Sequence, residues 1–407
     1  MKPLSKDTKK FIILGSLTGA AIIAAVISFA VYFANSNKKA SGWYSVPTDE
    51  RVVNYTSDIS LYYYFKNDDN SQEFDTLRQY YTDALREAYI NFDSLTTYEG
   101  FTNIASINKK IGEDVKVDEL LYKTLKNAYE LTLESNNFSI FEAPIKNFWN
   151  RILQLDNAYE ESDPLNNVEN QELLDTLVER TNDLSNFNLS FKEDNVINFS
   201  INDEYKSLLK ENYLDSEIIS LNDLQNPFVI DYVEGKLKKE GFTCGFLADL
   251  SGNFSGFENC PESTIKLFDS SNLLESTNFG DLSISANCKI SQLNRFNRDY
   301  EIIKKAYLLK KGESSYLRSS YINLVDGYDS GIKVFSVVQS IKKNLVEVNL
   351  ENINSTSYKT NVEFQNYLDT LDDYNFIYRF TNESNIIRAT NNIKNNITLV
   401  NPAYKIN

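Results

Sequence analysis

The sequence predicts one α+β domain, with mixed and antiparallel sheets flanked by helices, behind a single N-terminal transmembrane helix. Three observations predict it. An uncharged run of 24 residues, Phe11 to Ala34, is long enough to cross a bilayer as one helix. Beyond it, segments of helical spacing and segments of strand alternation are intermixed along the chain. No linker rich in Gly, Pro or Ser and no internal repeat divides residues 51–407.

The elements follow in order. Residues 1–10 form a basic tail with Lys2, Lys6, Lys9 and Lys10, whereas only Lys38 and Lys39 lie close beyond the apolar run. This bias places the N-terminus in the cytoplasm and the main domain outside the cell membrane, as in a single-pass signal anchor over 11–34. A cleaved signal peptide has a shorter apolar region and a small-x-small site, which this segment lacks. The bilayer is then one partner. Gly15 and Gly19 have the spacing that packs two membrane helices, so a homodimer is a second. Residues 35–50, with Trp43 and Tyr44, suit an interface belt and a tether.

In the body, Val52–Phe65 alternates as a first strand. Glu73–Asn91 has Phe74, Leu77, Tyr81, Leu85 and Ala88 at helical spacing, and Asp118–Leu133 repeats the pattern. Glu172–Leu184 and Glu363–Leu371 read as helices, and Val229–Glu240 as a short one closed by Gly241. Strands are expected at Asn188–Phe191, Val196–Ile201, Ser283–Cys288, Ala306–Leu309, Tyr321–Val325, Phe335–Gln339 and Phe376–Phe380. Residues 391–407 read as a polar, Asn-rich tail.

Composition excludes several functions. The chain has 41 Lys plus Arg against 57 Asp plus Glu. Six of those bases and one acid lie in residues 1–40, leaving the remainder with 35 against 56, a net of −21. Such a body repels nucleic acid, and no nucleic-acid partner is expected. Histidine is absent, which removes imidazole bases, Ser-His and Cys-His nucleophile pairs and His-ligated metals. Cys244, Cys260 and Cys288 are too few for a disulfide framework. A hairpin around Ser251-Gly252 would set Cys244 opposite Cys260, where they could bond outside the cell or simply fill two apolar strand positions.

Ser135 to Trp149 is the most informative segment. It follows a helical pattern ended by Asn136-Asn137 and sets Phe138, Pro144 and Trp149 on what reads as an irregular loop. An aromatic loop held by a proline suits the wall of a pocket for a flat ligand, although by the usual burial of aromatics these rings taken alone fill a core.

The order of several segments resembles the ApbE family, the FAD:protein FMN transferases. Tyr98-Glu99-Gly100 through Asn108, then Phe138, Pro144 and Trp149, match two of its elements. Ser220 to Asp231 lies where the family has its Gly-Gly-Ile-Ala-Lys-Gly segment, and Phe246 to Asn253 resembles its Leu-Gly-Gly-Asn hairpin. Ile284 to Asn287 resembles its Thr-Ser-Gly-Asn, and Ser320 to Tyr328 its His-Ile-Ile-Asp-Pro-Arg-Thr-Gly-Tyr. The resemblance implies an ApbE-like fold over 51–407 and transfer of FMN from FAD, with Mg²⁺, to Ser or Thr of an extracytoplasmic flavoprotein acceptor. It assigns FAD contacts to Tyr98, Asn108, Phe138, Trp149, Asp231, Asn323 and Gly327, and leaves Glu347 or Asn349 as the nearest substitute for a metal ligand.

The departures touch the chemistry itself. The family's Lys falls on Asn226 and its His on Ser320, and its glycines fall on Asn222, Asp223 and Pro227, so no catalytic residue is assigned. Side chains in place of glycine block the approach of a pyrophosphate to backbone, and Asp adds repulsion. Two readings follow: a membrane-anchored transferase, or a catalytically inactive relative that binds flavin or a protein partner at the surface.

Overall fold

The computed structural model describes residues 41–49, 58–68, 70–155, 159–259, 261–272, 275–294, 307–319 and 321–407. The predicted membrane helix at 11–34, its Gly15 and Gly19, and Cys260 and Ser320 lie outside them. No helix among the described residues is long and apolar enough to cross a membrane.

The chain opens with β1 (Gly42–Val46), β2 (Ser60–Phe65), α1 (Ser71–Phe92) and α2 (Ile104–Lys109). A helical lobe follows: β3 (Asp114–Lys116), α3 (Glu119–Glu134), α4 (Ala143–Leu153), α5 (Tyr159–Ser162) and α6 (Val168–Asn182). It ends with β4 (Phe187–Lys192), β5 (Val196–Ile201), α7 (Asp203–Glu211) and α8 (Gln225–Lys239). Next come β6 (Gly245–Ala248), β7 (Phe254–Gly256), β8 (Ser263–Asn272), β9 (Glu275–Ile284) and β10 (Lys289–Asn294). The chain closes through β11 (Tyr307–Lys311), β12 (Ser314–Arg318), β13 (Lys333–Ser340), α9 (Leu345–Asn354), α10 (Asn361–Leu368), β14 (Asn375–Phe380), β15 (Ile386–Ala389), α11 (Asn391–Lys394), β16 (Ile397–Leu399) and β17 (Lys405–Ile406).

Among the described residues, nine strands form the main sheet in the order β1-β2-β6-β7-β10-β13-β14-β15-β17. Every pairing in it is antiparallel except β15 with β17. Alternation in β2 explains its placement: Leu61, Tyr63 and Phe65 are buried, while Ser60, Tyr62 and Tyr64 face the other side. One face carries α1, α8 and α9 and merges with the helical lobe into the largest core, from Val46 to Ile353. The opposite face packs on the layer β16-β9-β8, through Phe254, Phe279, Phe335 and Ile397.

Several expectations are corrected. The segment containing Pro144 and Trp149 is a helix from Ala143 onward, with Pro144 in its first turn, where a missing N–H costs no hydrogen bond. Gly42–Val46, read as part of a tether, pairs in register with β2 from Gly42↔Phe65 to Val46↔Leu61. Tyr321–Val325 is not a strand: the Asn323 side chain turns the backbone there. Residues 391–407 are built into the fold, since Ile397 pairs with Leu282 and Lys405 with Ile386. In the β6–β7 hairpin Phe246 faces Gly256, a register that puts Cys244 opposite Glu258. Cys244 is a free thiol that donates to the Asn259 carbonyl at 2.9 Å.

Candidate functional site

Most residues assigned by resemblance are engaged within the fold. Phe138 and Trp149 are each 1% exposed. The Trp149 indole donates to the Gly327 carbonyl at 2.7 Å and meets Tyr328 edge-on. Gly327 has φ +74°, and a Cβ there would come within 2.9 Å of both Val178 and Leu174, so only glycine fits the turn against α6. Asn323 holds the same turn, accepting from the Val325 and Asp326 amides and donating to the Tyr328 carbonyl at 2.6 Å. Trp149, Asn323 and Gly327 therefore meet in a packed corner with Tyr328, while Phe138 is buried in the main core.

Asn108 exchanges two hydrogen bonds with Ile219, as a strand partner would, and Tyr98 donates to Asp93 at 2.6 Å. Asp231 on α8 accepts the Leu345 and Val346 amides at 3.1 and 3.0 Å, capping the N-terminus of α9. Burial pushes Asp231 up to about 7, against the pull of those two amides. Glu347 closes the capping box of the same helix with Asn344 and pairs with Lys343.

Magnesium does not fit these residues. Glu347 is already used twice, and no group of three or more His, Cys, Asp or Glu that could hold a metal ion occurs among the described residues.

A different cluster forms around Asn226. Its amide nitrogen donates to Asp58 at 3.0 Å and to Asp249 at 3.0 Å, and its carbonyl oxygen accepts from the Tyr89 hydroxyl at 3.4 Å. Asp249 follows β6, and both its oxygens accept from Asn253, one from the backbone and one from the side chain, each at 2.8 Å. Asn253 accepts in turn from Asn349 of α9, which also donates to Ser291. Burial, reinforced by the charge of Asp58, pushes Asp249 up to about 6. The turn is tight because Gly252 has φ +100° and a Cβ there would lie 2.7 Å from that of Gln292.

Asp249 and Asn253 also border a cavity of about 400 Å³, whose lining includes Ser263, Thr264 and Gln292 as further polar residues, a volume in the range of small-molecule sites. Its wall is aromatic and lies on the sheet face turned away from α8 and α9. Tyr62 stacks on Phe246 at 4.9 Å and 18°, Phe254 lies 5.0 Å from Phe246, and Trp43 lies 5.4 Å from it. Cross-strand neighbours bring these rings together: Trp43 is on β1, Tyr62 on β2, Phe246 on β6 and Phe254 on β7. None of the residues assigned to FAD contacts lines this cavity.

Asp58 and Trp43 were the residues that motif reading missed. Asp58 precedes β2 in no recognisable pattern, whereas Trp43 could have been placed by continuing the alternation of Trp43 and Ser45 backward from β2.

The loop expected to cradle a pyrophosphate is also closed. Asp223 pairs with Lys146 at 2.5 Å, and Lys146 pairs with Glu142 at 3.2 Å. Burial raises Glu142 above the usual carboxylate range. Asn222 adopts φ +50° and donates its amide to the Ser139 carbonyl. Backbone that glycines would leave bare is covered here by side chains that bond to one another.

No protein-family model matches the chain, and no curated protein matches it in sequence. Solved structures do. The ApbE protein of Thermotoga maritima superposes with a TM-score of 0.57 at 11% identity, covering 87% of this chain and 99% of that one. The apo flavinyl transferase ApbE of Pseudomonas stutzeri gives 0.54 at 11%, covering 89% and 100%. The flavin transferase ApbE of Vibrio cholerae gives 0.52 at 13%, covering 83% and 93%. At such identities the likeness is one of architecture: this chain is a divergent protein of the ApbE-like fold.

Proposed function

We propose that the chain is a flavin-binding protein that does not transfer FMN, held at the cell membrane by residues 11–34 with its ApbE-like domain outside. The observation that carries this is Asn226, which stands where the resemblance expects a lysine and whose amide is spent between the carboxylates of Asp58 and Asp249. Transfer from FAD needs positive charge on the diphosphate. This site presents two acids instead, and Glu347 and Asp231 are committed to the end of α9.

Binding of the flavin ring rests on the aromatic cavity. Its size suits a tricyclic ring, and the Tyr62, Phe246, Phe254 and Trp43 rings supply stacking faces. The residues on hand fit the ring of FAD and not its diphosphate or a magnesium ion. Bound flavin would supply the chromophore, and the protein's part is to bury and orient it.

Titration of the full-length chain into free flavin tests this reading. Saturable quenching of flavin fluorescence, reversed by dialysis, is expected. Fluorescence left unchanged by excess protein would overturn it.

A further inference from the structure

We infer that the aromatic cavity is one end of a longer cleft, and that a second, polar cavity beside it holds the hydroxylated chain of the ligand whose ring the aromatic wall takes. This rests on the flavin-binding reading above and adds to it a subsite for the ribityl chain.

The second cavity measures about 310 Å³ and is bordered by Ser263, Thr264, Cys288, Gln339 and Asn396, among others. Two observations join it to the first. Ser263 and Thr264, at the start of β8, border both cavities. On the main sheet, Ile290 borders the aromatic cavity and Cys288 the polar one, and both side chains are buried in the same layer of the core. Residues two apart on a strand are roughly 7 Å from one another. Gln339 of β13, at the polar cavity, pairs directly with Ile290. The cleft therefore runs between the main sheet and the start of β8, with rings at one end and neutral polar groups at the other.

Those polar groups are free to bond a ligand. Ser263 pairs with Ile284, whose side chain is buried against the main sheet, so the Ser263 hydroxyl faces the cleft. Among the described residues, neither the Ser263 nor the Thr264 hydroxyl is bonded to another protein group. Gln339 is held in place: Asn375 donates to its carbonyl oxygen at 2.7 Å, and its amide nitrogen donates to the Cys288 sulfur at 3.4 Å. The amide has a second N–H to give. No Lys or Arg borders this end, and its one charged residue, Glu262, is exposed. Neutral donors and acceptors of this kind suit a chain of hydroxyls, each of which both donates and accepts. A bare ring has no hydroxyl to offer them.

Parallel fluorescence titrations of the full-length chain with riboflavin and with lumiflavin provide the test, since lumiflavin is the same ring with a methyl group in place of the ribityl chain. Riboflavin is expected to bind at least about tenfold tighter, the effect of one or two net hydrogen bonds. Gln339→Met keeps the side-chain length and removes the amide, and Ser263→Val removes the hydroxyl and narrows the passage between the cavities. Each is expected to bring riboflavin to within about threefold of lumiflavin, with lumiflavin affinity itself held within about threefold. The two changes lie on different strands, so the test does not depend on either variant alone to fold. Lumiflavin binding as tightly as riboflavin to the natural chain would overturn the subsite while leaving flavin binding intact. A tenfold difference that survives in both variants would also overturn it, since the chain then lies elsewhere. If neither flavin binds, the flavin-binding reading falls and the subsite falls with it.

Discussion

Trp149 shows how firmly a side chain that the resemblance assigns to flavin is bound into the fold. Its ring is sealed between Phe148, Tyr328 and the guanidinium of Arg318, and its one donor reaches the Gly327 carbonyl. Arg318 is fixed in turn by Asp163 at 2.7 Å, so removing the ring also opens a buried ion pair. Trp149→Ala is predicted to lower stability by about 3–5 kcal/mol, read as a shift in urea midpoint. Trp149→Phe is predicted to cost less and to leave riboflavin affinity within about threefold. A folded Trp149→Phe protein that has lost flavin binding would put this residue in the site. At this scale the sequence marks residues that the fold holds tightly. Phe138 and Trp149 stand out by their spacing and Gly327 by the resemblance, and all three are packed. Nothing in the residue types distinguishes a pocket wall from a core, because both are aromatic.

Helix α9 is the element on which the arrangement turns. It was not foreseen, since Leu345–Asn354 is short and carries Asn349 and Asn352 on its buried side. Those amides disguise the apolar period, yet they are what joins the helix to the sheet through Ser291, Ser336 and Asn253. Its N-terminus rests on Asp231. Asp231→Ala is predicted to leave the Leu345 and Val346 amides unpartnered, at a cost of about 1–3 kcal/mol. Faster hydrogen exchange at those two amides, with exchange in α3 unchanged, is the expected signature. Unaltered exchange would mean that packing alone seats the helix. The long hairpin β8–β9 escaped the sequence for a related reason. Asp269, Asn278 and Asp281 interrupt its alternation, and Asp269 is buried only because Arg379 at 2.9 Å and Tyr404 reach it from distant strands. By contrast α1 and β5 were legible, because their apolar residues keep a strict period against one core.

Across the whole molecule, buried acids set the response to pH. Burial holds Asp231 and Glu351 up to about 7, and burial together with Asp58 holds Asp249 up to about 6. Unfolded, each titrates near 4. Folding therefore takes up protons between these limits, and this part of the stability is complete below about pH 4 and is lost as pH rises through 6 to 7. Glu234 acts in the opposite sense. Burial raises it, but Lys289 at 2.7 Å and hydrogen bonds from Lys238, Lys289 and Ser255 outweigh this and leave it lowered, so its contribution is lost in acid. The ligand-free chain is predicted to be more stable at pH 5 than at pH 7.5 by on the order of 2 kcal/mol, measured by urea unfolding. A higher urea midpoint at pH 7.5 would contradict the protonation of these acids. The architecture as a whole was legible from the order of six weak motifs, since the superposition on ApbE structures spans most of the chain. The site was legible only as a set of departures. Asn226 could be marked as a missing lysine, but its two carboxylate partners come from residues 168 and 23 positions away and meet only in the folded chain.

The chain is proposed to bind flavin without transferring it. Covalent flavin on an acceptor protein tests it most directly. The full-length chain would be incubated with FAD, Mg²⁺ and an acceptor carrying an Asp-Gly-x-Ser/Thr segment, and the acceptor's intact mass then measured. An unchanged mass, with no AMP released, is the predicted result. An acceptor heavier by one FMN moiety, with AMP released alongside it, would contradict the account.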